Sequence, residues 1–121
     1  MRSWRARWCS LTAEDDVRLA HLVDAAESAV RHSQGRSRAD LDDDELLRLA
    51  LTKLVEIVGE AAKHIGPELR ADHPTVPWRA AARTRDRLVH HYFDINLDVL
   101  WETVSVDLPE ILVALRAGDR T

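Results

Sequence analysis

The sequence predicts an all-α protein, a bundle of four or five helices. Four segments carry apolar residues at the three- and four-residue spacing of amphipathic helices, and none alternates strictly as a half-buried strand does. The 121 residues include only four Gly and four Pro. A chain of this length fits one domain, which we predict at residues 13–116. We expect a poorly ordered extension at residues 1–12 and a short tail at residues 117–121.

The first two helices form the first half of the predicted bundle. The first is expected at about Ala13–Ser33. The second is expected from Asp42, a plausible N-cap with Glu45 three residues later, to the region of Gly66-Pro67, which should end it. Its apolar surface is wide enough to predict burial on more than one side. Gly59 is expected to let a neighbouring helix approach closely.

The second half of the chain predicts two further helices and a short turn. Residues 67–73 form at most one turn of helix. A third helix is expected at about Trp78–Tyr92, and a fourth begins at the N-cap Asn96 and ends near Leu115. Pro109 lies inside the fourth helix, where it removes a backbone hydrogen bond and is expected to cause a kink.

Composition excludes several classes of function. The single cysteine, Cys9, rules out an internal disulfide, which fits a reducing compartment. One Cys with scattered His gives no metal-ligand spacing, so no metal or cofactor is predicted. No apolar run approaches the roughly 18 residues of a membrane span. The basic N-terminus is followed at once by acidic residues, which argues against an export signal, so we predict a cytoplasmic protein.

Charge is distributed unevenly around a net charge of −4. Asp40 to Glu45 holds five acidic residues. Within it, Asp42 to Glu45 is either a solvated, capped helix start or a docking surface for a basic partner. The third helix instead carries Arg79, Arg83, Arg85 and Arg87 against Asp86 alone. Such a run is either a solvated helix face or a local field that attracts phosphates.

The end of the third helix combines residues suited to RNA cleavage. Arg85 can hold a phosphate bidentately, and His90 can exchange a proton near neutral pH. On an ideal helix these two side chains lie about 140° apart, whereas Asp86 and His90 share a face. Arg85 could curl round the helix, the helix end could unwind near His91, or a second subunit could complete the site.

The chain from Asp16 to Leu115 resembles the HepT-like branch of the HEPN superfamily. The motif Arg-x4-His-x-Tyr is met by Arg85, His90 and Tyr92. The other matching segments are Val17-Arg-Leu-Ala-His21 with Asp24-Ala25, Val58-Gly-Glu-Ala-Ala-Lys63, Pro67-Glu-Leu69, Val76-Pro-Trp78, Val99-Leu-Trp-Glu-Thr-Val104 and Asp107-Leu-Pro109.

The resemblance implies a metal-independent endoribonuclease that is the toxin of a toxin–antitoxin pair. Such proteins are helical homodimers in which the Arg-x4-His motifs of two subunits share a cleft. Their antitoxin is a minimal nucleotidyltransferase, MntA-like, which in part of the family adenylylates the motif tyrosine. In this chain that residue could only be Tyr92, where an AMP group would repel and block RNA.

The resemblance and the residues together assign roles. Arg85, His90 and Asp86 are the predicted catalytic residues, and Arg79, Arg83, Arg87 and His91 are predicted to bind RNA. Asp86 stands where the family often has Asn, and His91 where it often has Gly.

Alternatives remain at three points. Asp86 could form a surface ion pair with Arg83 or Arg87 instead of orienting His90, and Tyr92 could be a packing residue. The whole chain could also be a non-catalytic subunit that presents RNA or a nucleotide to a nucleotidyltransferase, or a plain dimeric scaffold.

Overall fold

The structure is a computed structural model that describes residues 10–88 and 95–119. Its helices are α1 (Ser10–Ser33), α2 (Asp40–Asp43), α3 (Glu45–His64), α4 (Pro67–Asp72), α5 (Trp78–Leu88), α6 (Leu97–Glu102) and α7 (Leu108–Asp119), with a π-helical turn at Thr103–Asp107 between the last two. No strand occurs within these two ranges, so the predicted all-α class is confirmed.

Helix α3 is the centre of the bundle, because α1 packs along one side of it and α5 along another. This arrangement confirms the prediction that α3 is buried on more than one side. Helix α7 packs against α1, and α6 lies against α5 and α3. The fully buried apolar side chains are Leu22, Ala26 and Ala29 of α1, Leu41 of α2, Leu51, Val55, Val58 and Ala62 of α3, Leu88 of α5, Leu100 of α6, Val104 of the π-helical turn and Leu108 of α7.

The start of α3 differs from the prediction, because the N-cap is Asp44 and not Asp42. An N-cap needs an extended backbone, and Asp44 has φ −118° and ψ 97°, whereas Asp42 lies within the helical turn α2. The backbone N–H of Leu47 donates to Asp44 Oδ1 at 3.1 Å. The acidic run is therefore divided between a separate turn and the cap of α3.

Gly66 does not end α3 in the predicted way. Its φ of −75° is not left-handed, and it is the N-cap of α4, with Pro67 in the first turn. Its N–H donates to Asp15 Oδ2 on α1 at 3.2 Å, and a Cβ at residue 66 would lie 3.0 Å from that oxygen. The glycine is thus explained by the close approach of Asp15.

The last helical stretch begins as predicted, since the N–H of Val99 donates to Asn96 Oδ1 at 3.1 Å. The irregularity expected at Pro109 takes the form of the π-helical turn just before it, in which the N–H of Leu108 donates to Thr103 O. Pro109 has no N–H, and its ring would crowd the carbonyl of Ser105 in a regular α-helix. Beyond the proline the helix continues to Asp119, further than predicted.

The ends of the chain are described only in part. Residues 1–9, most of the predicted extension, lie outside the described residues, and α1 already begins at Ser10. None of the described helices is both long enough and apolar enough to span a lipid bilayer.

Candidate active site

Arg85 lies at the contact between α5 and α3, where Gly59 faces it. A Cβ at residue 59 would lie 3.2 Å from Cβ of Arg85 and 3.1 Å from Oγ1 of Thr84. Such distances are tighter than ordinary side-chain contacts, so the two helices approach closely here because residue 59 has no side chain. The predicted role of Gly59 is confirmed. The consequence is that the stem of Arg85 runs along α3 while its guanidinium remains exposed.

A carboxylate of α3 contacts the guanidinium of Arg85. Nη1 of Arg85 donates to Oε1 of Glu60 at 3.2 Å, and the other carboxylate oxygen, Oε2, lies 2.9 Å from Nε2 of His64. The hydrogen bond with His64 is the main reason that the pKa of Glu60 is lowered, and the electrostatic influence of the same side chain, of Arg85 and of Lys63 acts in the same direction. Glu60 is therefore an anion held between two helices at neutral pH.

An open depression lies beside this pair. It has a volume of about 340 Å³ and is lined by Lys53, Glu56, Ile57, Glu60 and Arg85. Two cations and two carboxylates on its walls, with one apolar side chain, give it a mixed character. A phosphate could enter it only where a cation is not already neutralised.

Arg87 is turned to the opposite flank of α5. Its Nη2 lies 3.3 Å from Oε1 of Glu102, and its Nη1 lies 3.9 Å from Oδ2 of Asp107. Partial burial raises the pKa of Asp107, and the charge of Arg87 opposes that rise. The structure thus does not bring Arg87 together with Arg85. Residues two apart are related by a rotation of about 200° about the helix axis, so their side chains point in nearly opposite directions.

Arg79, Arg83 and Asp86 are exposed and follow one another at four- and three-residue steps along the outer face of α5. None of the three forms an ion pair with a residue in the described ranges. Asp86 therefore does not make the alternative surface ion pair with Arg83 or Arg87. Two of the predicted RNA-binding arginines, Arg79 and Arg83, are thus exposed on this face without an ion pair to a described residue, next to the carboxylate of Asp86.

His90, His91 and Tyr92 lie outside the described residues, so their predicted roles stay predictions. The described residues that flank this segment are joined to each other, since the N–H of Asn96 donates to the carbonyl oxygen of Leu88 at 2.7 Å. Within the described ranges, no group of three or more His, Cys, Asp or Glu side chains could hold a metal ion.

Sequence reasoning overlooked two residues of this site, Glu60 and His64. Their four-residue spacing on one helix is the pattern of an i,i+4 pair, and Glu60 lies inside the segment Val58-Gly-Glu-Ala-Ala-Lys63. Those signals were present, but the contact with Arg85 depends on the packing of α3 against α5.

Comparison with known proteins decides the family. A family model described as "Ribonuclease HepT-like" matches residues 22–117, most of the chain. The chain belongs to the HepT-like ribonuclease family. The predicted resemblance and the assignment to the endoribonuclease class are thereby confirmed. No solved structure matches the chain.

Three relatives illustrate the family match. A candidate RNase of Caldanaerobacter subterraneus subsp. tengcongensis is 37% identical over 93 residues, 77% of this chain and 83% of its own length. The probable ribonuclease HepT of Thermococcus cleftensis is 43% identical over 68 residues, 56% of this chain and 62% of its own length. A candidate RNase of Methanocaldococcus jannaschii is 34% identical over 93 residues, 77% of this chain and 80% of its own length.

Proposed function

We propose that this chain cleaves RNA without a metal ion, with Arg85, His90 and Asp86 as catalytic residues. The observation that carries the proposal is the position of Arg85. Within a HepT-like ribonuclease sequence, its guanidinium is exposed at the edge of an open depression, with one nitrogen on Glu60 and the others free of described partners. An arginine so placed can receive a phosphodiester.

The chemistry is transesterification. His90 takes the proton of a ribose 2′-hydroxyl, and the resulting oxygen attacks the adjacent phosphorus. The bond to the 5′-oxygen breaks, that oxygen takes a proton from water while His90 returns its proton to the solvent, and the product carries a 2′,3′-cyclic phosphate. Arg85 stabilises the added negative charge of the phosphorane, and Asp86 orients the imidazole of His90.

Flanking phosphates are bound by the outer face of α5. Arg79 and Arg83 are exposed there and unpaired with any described carboxylate. His91 contributes from the segment beyond Leu88. Arg87 contributes less, because Glu102 and Asp107 already offset its charge.

The active form is a homodimer in which two motifs share a cleft. Support comes from one face of α3. The exposed Leu46 and Leu49 lie on this face, and Lys53 and Glu60 follow them on it at helical spacing. We propose that a second copy covers this face of α3, with the two Arg85 side chains in one cleft. Shared use of the cleft resolves the angular separation of Arg85 and His90.

The biological role is that of a toxin acting on cytoplasmic RNA, restrained by a minimal nucleotidyltransferase as antitoxin. The support is the family match and one relative that is named as a probable ribonuclease HepT. Adenylylation of Tyr92 by the antitoxin would add negative charge two residues from His90.

Incubation of the purified protein with tRNA and mRNA in EDTA tests the proposal. We expect cleavage with 2′,3′-cyclic phosphate ends, a loss of about a hundredfold or more in Arg85→Ala and His90→Ala, and little change in Arg87→Ala. Activity that survives Arg85→Ala would refute the assignment. RNA binding with no cleavage by the unaltered protein would favour a non-catalytic binding subunit.

A further inference from the structure

We propose that Glu60 is the positioning residue of Arg85, holding its guanidinium so that one edge faces the RNA phosphate. This inference rests on the proposed ribonuclease function and adds a residue to its machinery. Glu60 does not touch the RNA in this proposal, and it acts through Arg85. His64 completes the arrangement by fixing the second carboxylate oxygen.

The two oxygens of Glu60 have separate partners. Oε1 accepts from Nη1 of Arg85 at 3.2 Å, and Oε2 contacts Nε2 of His64 at 2.9 Å. Because His64 lies four residues after Glu60 on the same helix, that contact restricts the carboxylate from α3 itself. A carboxylate restrained in this way can restrain the arginine that it binds.

The contact leaves the working edge of Arg85 available. Only Nη1 is engaged by Glu60, and neither Nε nor Nη2 of Arg85 makes a hydrogen bond with a described residue. Nε and Nη2 form the side edge of the guanidinium, which suits two parallel hydrogen bonds to phosphate oxygens. Glu60 therefore orients the group without occupying the edge that binds the phosphate.

Positioning and charge have opposite effects on binding, which makes the role measurable. The carboxylate lowers the local positive potential, so its removal should favour RNA binding in the ground state. Its removal should also free the long arginine side chain, which then reaches the orientation for the phosphorane less often. The expected signature is a fall in kcat with a KM that does not rise.

The chain offers a matched control in Glu102. It contacts Arg87 on the other flank of α5 at 3.3 Å, with 60% of its side chain exposed. Glu60 contacts Arg85 at 3.2 Å, with 52% of its own side chain exposed. Glu102→Ala removes the same type of charge and a similar ion pair with an arginine of α5. General effects of a lost carboxylate should appear equally in both variants.

The experiment measures kcat and KM on one RNA for the unaltered protein, Glu60→Ala, Glu60→Gln and Glu102→Ala, with the Nε–Hε mobility of Arg85 followed by NMR. We expect kcat to fall between about 10- and 100-fold in Glu60→Ala, with KM unchanged or lower and Arg85 more mobile. Glu60→Gln keeps an acceptor oxygen and should recover most of kcat. Glu102→Ala should keep the kcat of the unaltered protein, because the charge of Arg87 that it uncovers acts on KM and not on the orientation of Arg85.

Two results would overturn the proposal. One is a kcat in Glu60→Ala within twofold of the unaltered protein. The other is an unchanged mobility of Arg85 in Glu60→Ala, together with a loss of kcat equal to that of Glu102→Ala. Either result leaves the ribonuclease function standing if the unaltered protein cleaves RNA. An unaltered protein that never cleaves RNA refutes the proposed function, and the role of Glu60 falls with it.

Discussion

Gly59 of α3 lies directly against Arg85 of α5, so that a Cβ at residue 59 would come within 3.2 Å of Cβ and 3.4 Å of the backbone nitrogen of Arg85. Gly59→Val adds three carbon atoms at this contact. We expect the helices to separate, the unfolding free energy to fall by about 1–3 kcal/mol, and RNA cleavage to fall further than stability explains. Urea unfolding and cleavage rates below the unfolding transition measure the two effects.

Ala50→Val is the control for that substitution. Ala50 is exposed on the same helix, so the same β-branched side chain meets no close neighbour there. Equal losses of cleavage in the two valine variants would show that the Gly59–Arg85 contact has no special importance.

The arginines of α5 should differ in their contribution to RNA binding. In a His90→Ala background, Arg83→Gln should weaken RNA binding and lower the slope of log Kd against log salt concentration by about 0.7, the value for one phosphate contact on a single strand. Arg87→Gln should change the slope little, because Glu102 and Asp107 already lie at 3.3 and 3.9 Å from Arg87. Fluorescence anisotropy over a salt series supplies the slopes, and equal slopes for the two variants would contradict the assignment.

Asp44 should make stability depend on pH. Its hydrogen bond with Arg36 and the N–H of Leu47 lower its pKa in the folded chain. The folded state then binds its proton less readily than the unfolded state, so the stabilisation is complete above the ordinary carboxyl pKa of about 4 and is lost as the pH falls below it. Asp44→Asn keeps a capping oxygen and removes the charge.

Thermal melts at a series of pH values test that expectation. Asp44→Asn should melt below the unaltered protein at pH 7, and the difference should shrink as the pH is lowered through about 4. Asp43→Asn is the control, since Asp43 is exposed and makes no ion pair with a described residue. A difference for Asp44→Asn that stays constant with pH would contradict the role of its charge.

Asn96 should stabilise the last helical stretch through its side chain. Asn96→Ala removes the acceptor for the N–H of Val99 and should lower the unfolding free energy by about 1 kcal/mol. Asn96→Asp retains an acceptor oxygen and should restore most of that loss. Chemical denaturation compares the three proteins, and an alanine variant as stable as the unaltered chain would refute the capping role.

Much of the fold could be predicted from local sequence patterns, whereas most contacts between helices could not. Helical periodicity and the capping chemistry of Asn96 act within a few residues, and both gave the correct elements. The cap at Asp44 was assigned to Asp42, because four neighbouring aspartates offer the same side chain and only the backbone turn of α2 distinguishes them.

The same division applies to the site. Arg85 was identified by its motif, and the close approach at Gly59 was predicted from the absence of a side chain. The partners of the arginines, Glu60 for Arg85 and Glu102 for Arg87, lie 25 and 15 residues away in sequence. The two-residue spacing places Arg85 and Arg87 on different flanks of α5, but which carboxylate each one meets depends on how α3 and α6 pack against α5.

The π-helical turn at Thr103–Asp107 has a consequence for chain length. A turn of this kind holds one residue more than the α-helical path over the same distance. Deletion of one residue there, combined with Pro109→Ala, should restore a regular helix, whereas a deletion inside α7 would rotate its apolar stripe by about 100° away from the core. Relatives that differ by a single insertion in this region should therefore carry the gap at the π turn.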